Sequence, residues 1–505
     1  MSVPSFAAID PWVLVITLAA LVLPGAMLIG VANRSAERGL YGRSRFAGPA
    51  DCKRLGLTLI GPNSILLGRA GSGLLGLPGQ QFVLLAAPTR SGKGVGIVVP
   101  NLLHYEGSVV VLDIKGENFQ LTGGWRQSRG HSVYKFDPYS QHGETHRWNP
   151  LAYVSDDAHR RVADLTALAA LLYPEADPQH RFWVGQARNA FLALTLYAFD
   201  RKDYWAEFGD TAVQQPSLAG IHRLALGDGR PIADYLRQLR ADPFVRDETR
   251  RALDGLLSQA GDTFASIIGS LLEPLNPWVD PQLAAATACN DFDLRDVRRL
   301  PMTIYVVIPP HRLAEARLLI NVLFSQLINL NTRELPSAEN GLQIPCLLLM
   351  DEFTAVGKIE ILASAVAYMA GYNLRLLPII QSVAQLDAVY GKEVARTLIT
   401  NHAAQILFAP REHQDAKEYS EMLGDRSVSK ATINRGRDRS VSTSEERRPL
   451  MLPQELKAMG KDRCVLMIEG MPDPIAARKI VYYRDPVFVR RLLPPIRVPR
   501  LTIGE

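Results

Sequence analysis

The chain has 505 residues, 47% of them hydrophobic and 21% charged, so it exceeds what one core can fill and roughly two or three domains are expected. A net charge of +5 over this length permits contact with nucleic acid or anionic lipid but requires neither. Its 4 cysteines (Cys52, Cys289, Cys346, Cys464) form no CxxC or Cys/His cluster, which excludes a structural zinc site and points to reduced thiols in a cytoplasmic setting.

In chain order, the first predicted element is a membrane anchor, residues 1–33. Trp12 to Ala32, WVLVITLAALVLPGAMLIGVA, carries no charge and is long enough to cross a ~30 Å hydrocarbon core. A signal peptide needs a basic start, yet no Lys or Arg precedes this run, while Arg34, Arg38, Arg43, Arg45, Lys53 and Arg54 follow it. The positive-inside rule then predicts a single span with everything beyond residue 33 in the cytoplasm.

Next, SILLGRAGSGLLGL, residues 64–77, reads as a hairpin leading into a main sheet. Apolar, strand-like runs follow at 81–88, 108–115 and 131–138, and resume at 303–310, 345–352, 374–381 and 403–410. Such runs separated by helical stretches predict a mainly parallel sheet covered on both faces, an α/β fold. Between 151 and 298 the pattern is helical only, as in AHRRVADLTALAALLY and FWVGQARNAFLALTLYAF. An all-α domain at 151–298, inserted between sheet-forming parts at 34–150 and 299–505, is the simplest account. Residues 426–448 are rich in Ser and Arg; a solvated loop or long hairpin explains them, and contact with nucleic acid or a neighbouring subunit is the sharper alternative.

The chemistry concentrates at strand ends. APTRSGKG, Ala87-Pro88-Thr89-Arg90-Ser91-Gly92-Lys93-Gly94, resembles a Walker A loop in which Ala87 replaces the first glycine and Gly94 the final hydroxyl residue. It follows a strand and opens a helix, the setting that aims backbone N–H groups at phosphate. LLLMDEF, 347–353, has the form of a Walker B strand: Asp351 would hold magnesium and Glu352 would polarise water, although both could simply cap the next helix. Gln381 ends the strand LLPIIQ and could bond a γ-phosphate or water, or be a buried amide satisfied by backbone. Asp113 and Lys115 in LDIKGEN could reach the same place, unless Lys115 merely pairs with Glu117. A nucleoside triphosphatase using ATP and Mg2+ unites these strand ends.

Together with VVVLDIKGEN, KFDPYS, RWNPL, LLPIIQSVAQLDAVYG and RRPLMLPQEL, these motifs make residues 41–490 resemble the TraG/VirD-type coupling proteins of type IV secretion and conjugation. The resemblance implies a RecA-like P-loop ATPase, usually a homo-hexamer in the bacterial inner membrane. Such proteins receive a relaxase–DNA complex or effector proteins and pass them to the secretion channel components. It places phosphate binding on Ala87 to Gly94, catalysis on Lys93, Glu352 and Gln381, and the metal on Asp351. Ser91 or water would then complete the magnesium shell, and Arg375 and Arg411 are candidates for an intersubunit arginine. A cargo-docking receptor with weak ATPase activity, and an FtsK-like double-stranded DNA translocase, are the alternative functions.

Overall fold

The computed structural model describes residues 40–175, 178–209, 215–435 and 439–502; the expected membrane helix at 12–32 lies outside them. The described chain forms two compact units. The larger comprises Gly48–Pro410, Met459–Met471 and the residues from Ile475 onward, and the smaller Arg411–Ala458, Pro472–Pro474 and the described residues through Ala47.

The larger unit is built on an 11-stranded sheet. Its strands are β1 (Ile65–Ala70), β2 (Gly73–Leu77), β3 (Val83–Ala86), β4 (Ser108–Asp113), β5 (Ser132–Phe136), β6 (Met302–Val307), β7 (Cys346–Met350), β8 (Leu374–Ile380) and β9 (Ala404–Leu407). Past the smaller unit's hairpin, β10 (Asp425–Arg435) and β11 (Arg439–Pro449), the chain returns to the sheet as β12 (Arg463–Ile468) and β13 (Ile475–Arg478). The order is β2-β1-β13-β12-β9-β3-β8-β7-β4-β6-β5. From β9 to β5 every pairing is parallel, and from β9 outward through β12, β13, β1 and β2 every pairing is antiparallel.

Every residue of β4, β6, β7 and β8 is buried, as continuous apolar runs require when helices cover both faces. Among the described residues one helix, Pro310–Asn331, is long and apolar enough to cross a membrane. Its Ile320, Leu323, Phe324 and Leu327 are buried within the protein, the mark of a core helix.

Between β5 and β6 the described chain forms only helices, the longest being Ala158–Leu172 and Arg181–Glu207. The two ends of this helical excursion meet. Arg147 N donates to Asp291 Oδ2 at 2.8 Å, Asp291 N to the Arg147 carbonyl at 3.0 Å, and the Arg147 guanidinium reaches Asp291 Oδ1 at 2.7 Å. Inside it, buried Arg161 pairs with Asp203 at 2.9 Å and donates to the Asp156 carbonyl.

In the smaller unit the Ser/Arg-rich stretch is a hairpin, with β10 and β11 in register from Asp425↔Pro449 to Arg435↔Arg439. Lys430–Glu446 at 2.8 Å and Arg447–Asp425 at 2.5 Å link its strands by opposite charges.

Candidate active site

β3, β7 and β8 are neighbours in the parallel part of the sheet, so their C-terminal ends deliver the phosphate-like loop, Asp351/Glu352 and Gln381 side by side. That is where open α/β sheets bind ligands. A cleft of about 450 Å³ opens there, lined by Thr89, Arg90, Gly92, Lys93, Gly94, Asp113, Lys115, Asp351 and Glu352, with Val95, Val99, Leu121 and Tyr482 as its apolar part.

The loop is tied to β8 at its start and turns on itself. Ala87 N donates to the Ile380 carbonyl at 2.8 Å and Ser91 N to the Pro88 carbonyl at 3.1 Å. Ala87 and Pro88 are buried, whereas Thr89 and Arg90 are exposed. Arg90 and Gly92 have φ of 60° and 84°, a curl in which successive N–H groups can converge on an anion. The following helix opens with a π-turn, Gly94–Val98, before the α-turns of Val99–His104. Pro100 accounts for it: proline has no N–H to donate and its ring crowds the carbonyl four residues back. The wider turn accommodates both demands.

Lys93 Nζ lies 3.1 Å from Asp351 Oδ1 and also contacts Glu352 Oε1. Gln381 Nε2 donates to Glu352 Oε2 at 2.7 Å, and Thr89 Oγ1 to Gln381 Oε1 at 2.8 Å. A chain of side-chain bonds thus runs from the loop through Gln381 to Glu352 and Lys93. Gln381 is therefore held by side chains rather than by backbone. Asp351 and Glu352 cap no helix, since turns follow β7 and the next helix starts at Glu360.

Burial alone would raise the Glu352 carboxyl. Hydrogen bonds from Lys93 and Gln381, with the charges of Lys93 and Lys115, outweigh it and hold the group below the usual carboxylate range. Glu352 also sits at φ 60°, a conformation that costs a non-glycine residue about 1–3 kcal/mol and collects at functional sites. It is anionic at neutral pH and fixed in direction, as a group that orients water must be.

Lys115 is exposed on the lining, and among the described residues it forms no pair with Glu117. Asp113 is buried and accepts from Phe119 N at 2.9 Å and Asn118 Nδ2 at 3.1 Å, so it anchors the start of helix Glu117–Ser128. Ser91 is not among the residues that line the cleft.

Arg375 falls away from this site. It stands near the start of β8, is fully buried, and donates to the carbonyls of Asn63, Leu77 and Gln81. It ties the sheet to the loops around it from within. Arg411 is exposed at the start of the smaller unit's main segment. No motif marks Tyr482 as part of the cleft, because an aromatic after a short strand ordinarily belongs to the core.

Residues 57–502 match the family described as type IV secretory system conjugative DNA transfer. The chain is 29% identical over 421 residues to protein VirD4 of Agrobacterium fabrum, covering 82% of this chain and 60% of that protein. To the conjugal transfer protein TraG of Escherichia coli it is 27% identical over 538 residues, covering 95% and 82%. The chain therefore spans about 60% of the length of the VirD4 relatives. Its fold is that of the bacterial conjugative coupling protein TrwB, with TM-score 0.62 at 17% identity, covering 89% of this chain and 96% of that one. TrwB has been solved in complex with ADPNP and with ADP and Mg2+.

Proposed function

The chain belongs to the type IV secretory system conjugative DNA transfer family, and from that premise we propose that it is a membrane-anchored ATPase driving export through a type IV secretion system. In this reading it works as a homo-hexamer in the bacterial inner membrane, anchored by a single span at 12–32, with its described units in the cytoplasm. Its cargo is a relaxase–DNA complex or an effector protein, delivered to the secretion channel. The helical segment 151–298 is the inserted domain that selects the cargo, and 34–150 with 299–505 form the motor.

The observation that carries this reading is the convergence of Lys93, Asp351, Glu352 and Gln381 beside a curled glycine loop at the ends of adjacent parallel strands. Lys93 and the backbone of Ala87 to Gly94 would bind the phosphates of ATP. The cleft offers hard carboxylate oxygens and room for water, a donor set that suits Mg2+, which binds through one or two carboxylates and keeps several waters. Asp351 would hold the ion, which when bound supplies positive charge to the phosphate oxygens. Glu352 accepts the proton of the attacking water. Gln381 keeps Glu352 in place and, through Thr89, links it to the loop. The nucleotides named for TrwB support ATP as the substrate, and the family favours this reading over an FtsK-like translocase.

The test is a transfer assay in cells. Lys93→Ala is expected to abolish transfer while protein level and membrane fractionation stay as in wild type. Transfer at wild-type frequency would instead assign the chain a passive docking role.

A further inference from the structure

One charged side chain near the loop does not line the cleft. Lys479 follows β13 and is only 7% exposed. Its ammonium lies 3.6 Å from the centroid of the Phe408 ring and donates to the Ser91 carbonyl at 3.0 Å. Its stem packs over the first turn of the loop's helix: a Cβ on Gly96 would stand 3.3 Å from Lys479 Cβ and 3.5 Å from the Phe408 ring. The Lys479 backbone is fixed as well, its N–H donating to the Asp462 carbonyl at 2.7 Å. Burial lowers the ammonium to about 8, so it remains largely charged at neutral pH.

An ammonium between an aromatic ring and a glycine helix has lost most of its hydration, which is unfavourable unless the charge does something an apolar side chain cannot. The ring recovers part of the loss. The rest points to the Ser91 carbonyl, because that carbonyl and the Gly92 N–H are the two ends of one peptide group. Gly92 lines the cleft, and among the described residues its N–H donates to no other group. A charged donor on the carbonyl fixes the plane of that peptide and polarises its N–H, which strengthens the bond the N–H can give.

We propose that Lys479 is a positioning residue of the nucleotide site, holding the Ser91–Gly92 peptide so that the Gly92 N–H donates to a bound phosphate. The inference rests on the nucleotide reading above. Lys479 acts on phosphate through the loop and touches no reacting atom. Phe408 and Gly96 form its seat: the ring holds the ammonium, and the missing side chain leaves room for its stem.

The experiment uses the purified full chain and fluorescent mant-ADP with Mg2+, with thermal melting measured on the same samples. Lys479→Met is expected to weaken mant-ADP binding about tenfold or more with little change in melting. Lys479→Arg, which restores a charged donor, is expected to recover much of the loss. Equal affinity for wild type and Lys479→Met overturns the inference while leaving the nucleotide site standing. A Lys479→Met chain that melts far below wild type, yet binds normally when folded, assigns the lysine to the core and also overturns it. A wild-type chain that binds no mant-ADP removes the nucleotide reading and this inference together.

Discussion

Asp113 shows what the cleft does to a carboxyl. Burial pushes it up to about 6, against the hydrogen bonds from Phe119 and Asn118 and with the negative charge of Asp351 adding to the rise. The unfolded chain holds that proton only below the ordinary value of 3.8. Between these two values the folded protein binds more protons than the unfolded one, so stability contributed here falls as pH rises from about 4 to 6. Urea unfolding should therefore show wild type losing roughly 2–3 kcal/mol relative to Asp113→Asn across that window; a constant difference would place Asp113 in water. Asp351, Glu352 and Gln381 could be named from the sequence because they directly follow buried strands, and Lys93 because it sits in the loop after one; neighbouring parallel strands end together. Lys479 could not. It too follows a strand, but an antiparallel one at the sheet's extension, and nothing local says its ammonium turns inward. Arg375 misleads for the opposite reason: a cation in a strand suggests an end that meets solvent, whereas this one lies buried among backbone carbonyls.

At the scale of elements, the parallel strands were legible because burial on both faces writes them as unbroken apolar runs. The antiparallel extension β12-β13 was not placed by the sequence, since β13 alternates buried and exposed residues over only Ile475–Arg478. Asn101 hydrogen-bonds the loop's helix to β1, beside the packing of Leu66 with Val99 and Leu103. Its amide accepts from Leu66 N at 2.7 Å and donates to the Leu66 and Ile97 carbonyls at 3.0 and 2.8 Å, all without solvent. Removing it strands a buried donor and two acceptors, each of which is unfavourable by about 1–3 kcal/mol. Asn101→Ala should therefore lower stability by roughly 3 kcal/mol or more in denaturant unfolding. A loss under about 0.5 kcal/mol, the range of ordinary surface substitutions, would mean that these hydrogen bonds do not hold the helix to β1.

For the whole molecule, the helical segment could be read as an insertion because strand signals stop at 138 and resume at 303. Only the structure shows that its ends are stitched together by Arg147 and Asp291. A chain in which 151–288 is replaced by a short Gly/Ser linker should still bind nucleotide by mant-ADP titration while failing to transfer cargo in cells; loss of nucleotide binding would make the helices part of the motor. The Ser/Arg-rich stretch was ambiguous because a charged hairpin and a charged loop share one composition, and only cross-strand pairing separates them. The proposed role of Glu352 is to take the proton of the water that attacks ATP. Phosphate release by the purified full chain with Glu352→Gln, run beside mant-ATP binding, tests that role. Retained binding with turnover reduced at least about 100-fold is expected; wild-type turnover by Glu352→Gln would remove Glu352 from the chemistry.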